Sequence, residues 1–85
     1  MPHYYFHLRH SSQLTIDDEG QDFPDDDAAR AEAAEAVHEI LADAIRSKRA
    51  DIPEAILVAD EHGREVACVP LADAVPSELK ERRSP

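Results

Sequence analysis

Apolar and polar residues alternate along the chain with two different periods, and the longest regular stretch predicts one helix from Asp25 to Lys48. At 100° per residue, this stretch gathers its apolar side chains on one side and most of its carboxylates on the other. The residues predicted to face the core are Ala29, Ala33, Ala36, Val37, Ile40, Leu41, Ala44 and Ile45. Aspartates at the start can accept the free N–H groups of the first turn, and their charge is favourable at the helix N-terminus. Pro53 follows the predicted end because proline cannot continue a helix. The wide stripe favours packing against a sheet.

A period of two predicts two strands before the helix, joined as a hairpin. The first runs from His3 to Arg9, with alternate residues on opposite sides. The residues predicted to meet the helix are Tyr4, Phe6 and Leu8, and those predicted on the outer side are His3, Tyr5, His7 and Arg9. A turn at residues 10–12 leads to a second strand from Leu14 to Asp17. Both Leu14 and Ile16 are predicted to point inward.

Two further strands are predicted after the helix. The third runs from Ala55 to Ala59, and Ile56 and Val58 point to the core. A tight turn at residues 60–63 leads to a fourth strand from Arg64 to Leu71. Cys68, on that strand, is predicted to be a small buried side chain.

The pattern as a whole predicts an α+β fold with the order β-β-α-β-β. An antiparallel four-stranded sheet carries one long helix packed on one face. The 85 residues are enough for one domain, assigned to residues 1–75, with residues 76–85 as a flexible or partly helical C-terminal tail. The other face of the sheet is expected to meet water or a partner.

The charge balance narrows the classes of partner. With 9 basic and 19 acidic residues the net charge is −10, which argues against nucleic acid and anionic membranes because both attract cationic surfaces. The chain shows neither a run apolar enough to span a bilayer nor the hydrophobic region of a signal peptide. A single cysteine excludes an internal disulfide. We therefore expect a soluble cytoplasmic protein.

The acidic residues are concentrated just before the helix and at its start, in a segment without a basic residue. This candidate acidic patch consists of Asp17, Asp18, Glu19, Asp22, Asp25 and Asp26. It does not match a calcium-binding EF-hand loop, because Gly20 is the fourth residue of a loop that starts at Asp17, whereas the motif has glycine at the sixth position. A basic protein is the partner that such a patch would attract.

Residues with catalytic potential do not form a recognisable site. Two histidines of the first strand, His3 and His7, are about 13 Å apart along an extended chain, too far to share a metal ion. We predict no metal, no cofactor, no small-molecule ligand and no catalytic residue. One enzymatic alternative starts from Pro2, which methionine removal would expose as a secondary amine, the general base of N-terminal-proline tautomerases.

Several short segments together resemble a known family. They are the start MPHYYFHLR, then DEG at residues 18–20, DAARAEA at residues 27–33, DEHGR at residues 60–64 and VPL at residues 69–71. The chain is similar in these segments to short alphaproteobacterial proteins, frequent in rhizobia, that carry a single domain of unknown function. The resemblance implies a bacterial origin and no particular activity.

A more distant likeness is to antitoxins of the HicB type, which are also small and acidic. The shared feature is a hairpin followed by a helix that opens with an acidic run rich in alanine and glutamate, as in residues 27–35. That likeness implies a binder of a small basic toxin or ribonuclease. The chain departs from the type because it lacks a clear third strand before the helix and a DNA-binding domain after it.

The leading hypothesis is a non-enzymatic interaction or regulatory module that binds a protein partner or a second copy of itself. The candidate interaction surface is the outer side of the first strand, where His3, Tyr5, His7 and Arg9 lie together. An aromatic anchor with polar neighbours is common in interfaces. The histidines predict that association depends on pH between about 5.5 and 7.

Overall fold

The computed structural model describes residues 1–48 and 52–74. The elements follow the order β1 (His3–Arg9), β2 (Leu14–Thr15), β3 (Gln21–Asp22), α1 (Asp26–Ser47), β4 (Ala55–Ala59) and β5 (Glu65–Pro70), ending in a short 3-10 turn (Leu71–Ala74). The predicted α+β fold, with a hairpin on each side of the helix, is confirmed. The predicted tail at residues 76–85 lies outside the described residues.

The sheet is open and antiparallel throughout. Its order is β2, β1, β4, β5, so β1 and β4 are central and β5 is at one edge. A fifth short strand, β3, joins the same edge of β1 as β2 does. The sequence pattern predicts four strands because β3 has only two residues, too few to show an alternation.

The helix begins and ends at residues with identifiable roles. The Asp25 carboxylate accepts the backbone N–H of Ala28 at 2.8 Å, so Asp25 is the N-terminal cap among the aspartates expected at this end. Lys48 closes the other end in a left-handed conformation with φ 55°, and its N–H donates to the carbonyls of Ala44 and Ile45. The helix therefore ends before Pro53.

The core lies between the helix and one face of the sheet. Its fully buried members are Tyr4, Ala29, Ala33, Val37, Ile56, Val58 and Leu71. The small alanines allow the helix backbone to approach the sheet closely. The phenol of Tyr4, 2% exposed, donates to the Asp26 carboxylate at 2.7 Å and ties β1 to the first helical turn. Phe23 packs between the rings of Tyr4 and Phe6.

One predicted core position on the helix is wrong. Ile45 is 77% exposed, whereas Ala33, Val37 and Ala44 are buried. At 100° per residue Ile45 lies about 120° around the helix from Ala33, outside the stripe that the sheet covers. The stripe predicted from sequence was therefore too wide on this side.

The inward orientation predicted for Leu14 and Ile16 is also wrong. The connection between β1 and β2 has four residues, His10 to Gln13, and the backbone groups of these two residues bond to each other. Leu14 consequently pairs with Arg9, which belongs to the outer side. A hairpin connection one residue shorter would have turned Leu14 inward, because a shift of one residue exchanges the two faces.

Candidate functional site

The face of the sheet opposite the helix is the candidate site, and we call it the outer face. Residues that pair across antiparallel strands point to the same side, so the strand register defines its members. On the central strands Tyr5, His7 and Arg9 lie opposite Ala59, Leu57 and Ala55, and on β5 Cys68 lies opposite Leu57. Leu14 pairs with Arg9, and continuing that register places Ile16 beside His7.

The outer face has an apolar centre that the described residues leave uncovered. Leu14 is 45% exposed and Ile16 is 55% exposed, although both are large aliphatic side chains. Leu57 and Tyr5 are half-buried beside them. The sequence pattern does not mark Leu14, Ile16 and Leu57 as surface residues. Leu14 and Ile16 alternate as core residues would, and the outer side of β4 carries only apolar side chains.

Cys68 also belongs to this face, which corrects the prediction that it is buried. It is a free and exposed thiol. Its neighbour in the register, Leu57, fixes it on the outer side, whereas Val69 beside it in sequence packs towards the core. A strand of mostly apolar residues did not reveal which alternate set faces the helix.

The candidate interaction residues of β1 do lie together on the outer face. The ring of Tyr5 stands between those of two histidines, edge-on to His3 with centroids 5.1 Å apart and stacked on His7 at 6.4 Å. Arg9 follows at the end of the strand, where its Nε lies 3.8 Å from a Glu54 carboxylate oxygen. That these residues bind a partner stays a prediction.

The two ends of the outer face differ in charge. Towards the start of β1, Asp22 lies opposite His3 and Glu65 lies opposite Ala59. The other end carries Arg9 above an open depression of about 400 Å³. That depression is lined by residues 9–14 and Leu57. Among residues 1–48 and 52–74, the side chains of the apolar centre between the two ends are Tyr5, Leu14, Ile16 and Leu57, none of them a carboxylate.

The Asp17 carboxylate completes the edge of β1 next to this face. Strand β2 pairs with Leu8 and Arg9, and β3 pairs with His3 and Tyr4, so neither strand reaches the backbone of Phe6. Asp17 Oδ2 accepts the Phe6 N–H at 3.0 Å in place of a strand. Asp17 Oδ1 accepts the N–H groups of Glu19 and Gly20 at 3.1 and 3.2 Å.

The pKa of the Asp17 carboxyl is lowered from its usual 3.8. Partial burial acts in the opposite direction, but the donated N–H groups of Phe6, Gly20 and Glu19 together outweigh it. A carboxyl whose pKa is lower in the folded protein stabilises the fold at pH values above its pKa in the unfolded chain. That contribution is lost as the pH falls through the folded value.

Two histidines of β1 bind the same turn. His3 Nδ1 lies 2.5 Å from Asp22 Oδ1, and its Nε2 lies 2.7 Å from the carbonyl oxygen of Glu19. The pKa of His3 is raised from its usual 6.5. The largest cause is the hydrogen bond to the Asp22 carboxylate, followed by the bond to the Glu19 carbonyl. His7 acts differently, since its Nδ1 accepts the N–H of Asp17 at 3.0 Å.

An aspartate also holds the turn between β4 and β5, but the hydrogen bonds of this aspartate stay within its own turn. Asp60 Oδ1 accepts the N–H groups of His62 and Arg64, each at 2.9 Å, and Gly63 has φ 82°. In the Asp17 turn Gly20 has φ 70°, and a Cβ there would lie 2.5 Å from the Tyr4 carbonyl oxygen. A Cβ at Gly63 would meet nothing within 4 Å.

Most of the candidate acidic patch has internal partners. The carboxylates of Asp17, Asp22, Asp25 and Asp26 bind the Phe6 amide, His3, the helix N-terminus and Tyr4, respectively. Only Asp18 and Glu19 have no side-chain partner among residues 1–48 and 52–74. A basic partner at this patch stays a prediction, with four of its six carboxylates already engaged within the fold.

The remaining chemical candidates are exposed or scattered. Pro2 is exposed, and its carbonyl accepts the Phe23 N–H at 3.0 Å, so the burial that would tune a catalytic amine is not seen there. In the part of the chain that the structure describes, no three histidine, cysteine or carboxylate side chains are grouped as a metal site. No described helix is both long and apolar enough to cross a bilayer.

The fold and the outer face define a small two-layer α+β domain with one open sheet surface. A family model described as a domain of unknown function, DUF6894, matches residues 3–72, and the chain belongs to that family. No curated protein and no solved structure was found to be similar to the chain.

We expect Gly20→Ala to destabilise the protein more than Gly63→Ala. Both substitutions place a side chain at positive φ, which costs about 1–2 kcal/mol. Only the alanine at position 20 also collides with the Tyr4 carbonyl and the His3 ring. Urea unfolding of both variants measures the difference, and equal losses would show that the Asp17 turn is not docked on β1.

We expect Asp17→Asn to cost about 1–3 kcal/mol of unfolding free energy, because the one remaining oxygen cannot accept both the Phe6 N–H and the N–H groups of the turn. Asp60→Asn is the matched control. It keeps one oxygen for the local turn and loses only an exposed 3.4 Å contact with Arg64, worth at most about 1 kcal/mol. Urea unfolding of both variants is the measurement, and similar losses would contradict the special role of Asp17.

Proposed function

We propose that the protein is a non-enzymatic interaction module whose outer face binds a second copy of the same chain. The observation that carries the proposal is the exposure of Leu14 and Ile16 beside Tyr5 and Leu57, on the sheet face that the helix does not cover. Apolar side chains grouped on one exposed surface gain free energy when a partner removes them from water.

The distribution of charge supports a second copy as the partner. Two chains of net charge −10 repel each other. The apolar centre of the outer face consists of Tyr5, Leu14, Ile16 and Leu57, so contact there does not bring carboxylates of the centre together. The acidic side of the helix then lies on the far side of each copy. A partner bound at the helix would have to approach Glu32, Glu35 and Glu39 instead.

The two charged ends favour one arrangement of the dimer. A two-fold axis between the faces and perpendicular to the strands places Arg9 of each copy over the other copy's end that carries Glu65 and the Asp22–His3 pair. An axis parallel to the strands would instead bring like ends together. The single long contact from Arg9 Nε to Glu54 leaves the two terminal nitrogens of the guanidinium to bind the opposing carboxylates.

The size of the face indicates a weak dimer. Four strand positions and seven residues cover roughly 19 Å by 23 Å, or about 440 Å². Stable interfaces bury about 800 Å² on each partner, so we expect a reversible equilibrium in the range of weak, transient complexes. Such an equilibrium suits a regulatory module whose state depends on its concentration.

Sedimentation equilibrium between about 10 μM and 1 mM tests the proposal. We expect dimers that dissociate on dilution and that strengthen as salt rises from about 20 to 300 mM, because salt screens the repulsion between acidic chains. A monomer at every concentration would overturn the proposal. Self-association that weakens with salt would show that opposite charges, rather than the apolar centre, hold the two copies together.

Matched isoleucine variants locate the interface. Ile16→Asp and Ile45→Asp each replace an exposed isoleucine, 55% and 77% exposed, by the same charge on opposite sides of the fold. We expect Ile16→Asp to abolish the dimer and Ile45→Asp to leave it unchanged. Leu14→Asp serves as a second outer-face variant, and the reverse pattern would place the interface on the helix.

A further inference from the structure

The turn beside the outer face is held by two histidines that require opposite protonation states. Both ring nitrogens of His3 face atoms that can only accept, the Asp22 carboxylate and the Glu19 carbonyl oxygen. Both bonds form together only when each nitrogen carries a proton, so this arrangement requires an imidazolium at His3.

His7 has the reverse requirement. Its Nδ1 accepts the backbone N–H of Asp17, so that nitrogen must keep its lone pair. The proton of the neutral ring is then on Nε2. A second proton on His7 would set two donors against each other and break the bond to the turn.

The surroundings of the rings fit these two states. His3 is faced by Asp22 from β3, by Glu61 from the β4–β5 turn and by the Glu19 carbonyl from the Asp17 turn. Tyr5 lies beside both rings. His7 is faced by Asp17 from the turn and by the uncharged Leu57 from β4. Negative charge is therefore denser around His3 than around His7.

The contacts made by both histidines continue into the outer face. Ile16 immediately precedes Asp17, whose N–H binds His7, and the ring of Tyr5 is in contact with both imidazoles. Loss of either histidine bond thus loosens the turn that fixes Ile16 and removes a support of Tyr5. Both residues belong to the apolar centre of the proposed interface.

We propose that His3 and His7 restrict assembly of the outer face to a window of pH in which His3 carries two ring protons and His7 carries one. This inference rests on the proposed self-association, whose regulation it describes. At the upper limit His3 loses a proton and keeps only one of its two bonds. At the lower limit His7 gains a proton and releases the Asp17 N–H.

The group that titrates decides in which direction of pH the stabilisation is lost. The pKa of His3 is raised in the fold, so its stabilisation is complete below pH 6.5 and is lost as the pH rises through the folded value. Dimerisation is accordingly expected to follow a bell-shaped curve, falling about tenfold on each side for the loss of one hydrogen bond.

The ring states can be read directly from the ¹⁵N chemical shifts of the histidines across the pH range. In the window we expect an imidazolium pattern for His3, and for His7 a neutral ring with an unprotonated Nδ1. Amide exchange of the Phe6 and Asp17 N–H groups reports opening of the turn on either side. A neutral His3 together with a closed turn in the middle of the window would overturn the inference.

Three variants separate the two limits. His7→Asn offers an amide oxygen near the position of Nδ1, so the acid limb is expected to disappear while the alkaline limb remains. His3→Gln removes the imidazolium, so association is expected to be about tenfold weaker within the window and to lose the alkaline limb. The control is His38→Gln on the exposed side of the helix, which should leave the curve unchanged.

The outcomes distinguish this inference from the proposed function. A dimer whose strength is constant with pH, or is equally sensitive in all three variants, would refute the histidine window and leave self-association standing. A chain that is monomeric at every pH would refute self-association and with it the regulation of a dimer. Amide exchange would still show whether the two histidines close the turn.

Discussion

The carboxylate of Asp17 is the contact on which the arrangement of the first half of the chain depends. Two strands of two residues each cover the ends of β1 and leave the Phe6 N–H between them without a strand partner. An unpaired backbone donor there would cost as much as a lost hydrogen bond. The side chain accepts that N–H and binds the turn at Glu19 and Gly20 with its other oxygen, so it joins β2 and β3 into one irregular edge.

That edge explains why a small acidic protein has apolar side chains in the open. The four-residue connection after Arg9 sets the register, and the bond between the Asp17 N–H and His7 holds the chain in it. Leu14 and Ile16 then extend the outer side of β1 instead of the core. The helix covers only the other face. The same turn therefore stabilises the sheet and positions the surface proposed to bind a second copy.

The sequence was sufficient where a pattern repeats over many residues. Strands β1 and β4, the helix with its Asp25 cap and the two glycine turns follow from alternation, periodicity and turn chemistry. It was insufficient for Leu14, Ile16 and Cys68, because a strand of two residues or one of mostly apolar residues fits either face. The side-chain bond from Asp17 to Phe6 has no signal in hydrophobic pattern, and the opposite proton requirements of His3 and His7 appear only when their partners are known.

The most direct test of this account is a methyl NOE measurement on Ile16 in the monomeric protein at low concentration. The register predicts contacts from its methyl groups to the rings of His7 and Tyr5 and to Leu57 on the outer face. Contacts to Ile40 or Ala36 of the helix would instead place Ile16 in the core. That result would contradict the register, the role of Asp17 and the surface proposed for self-association.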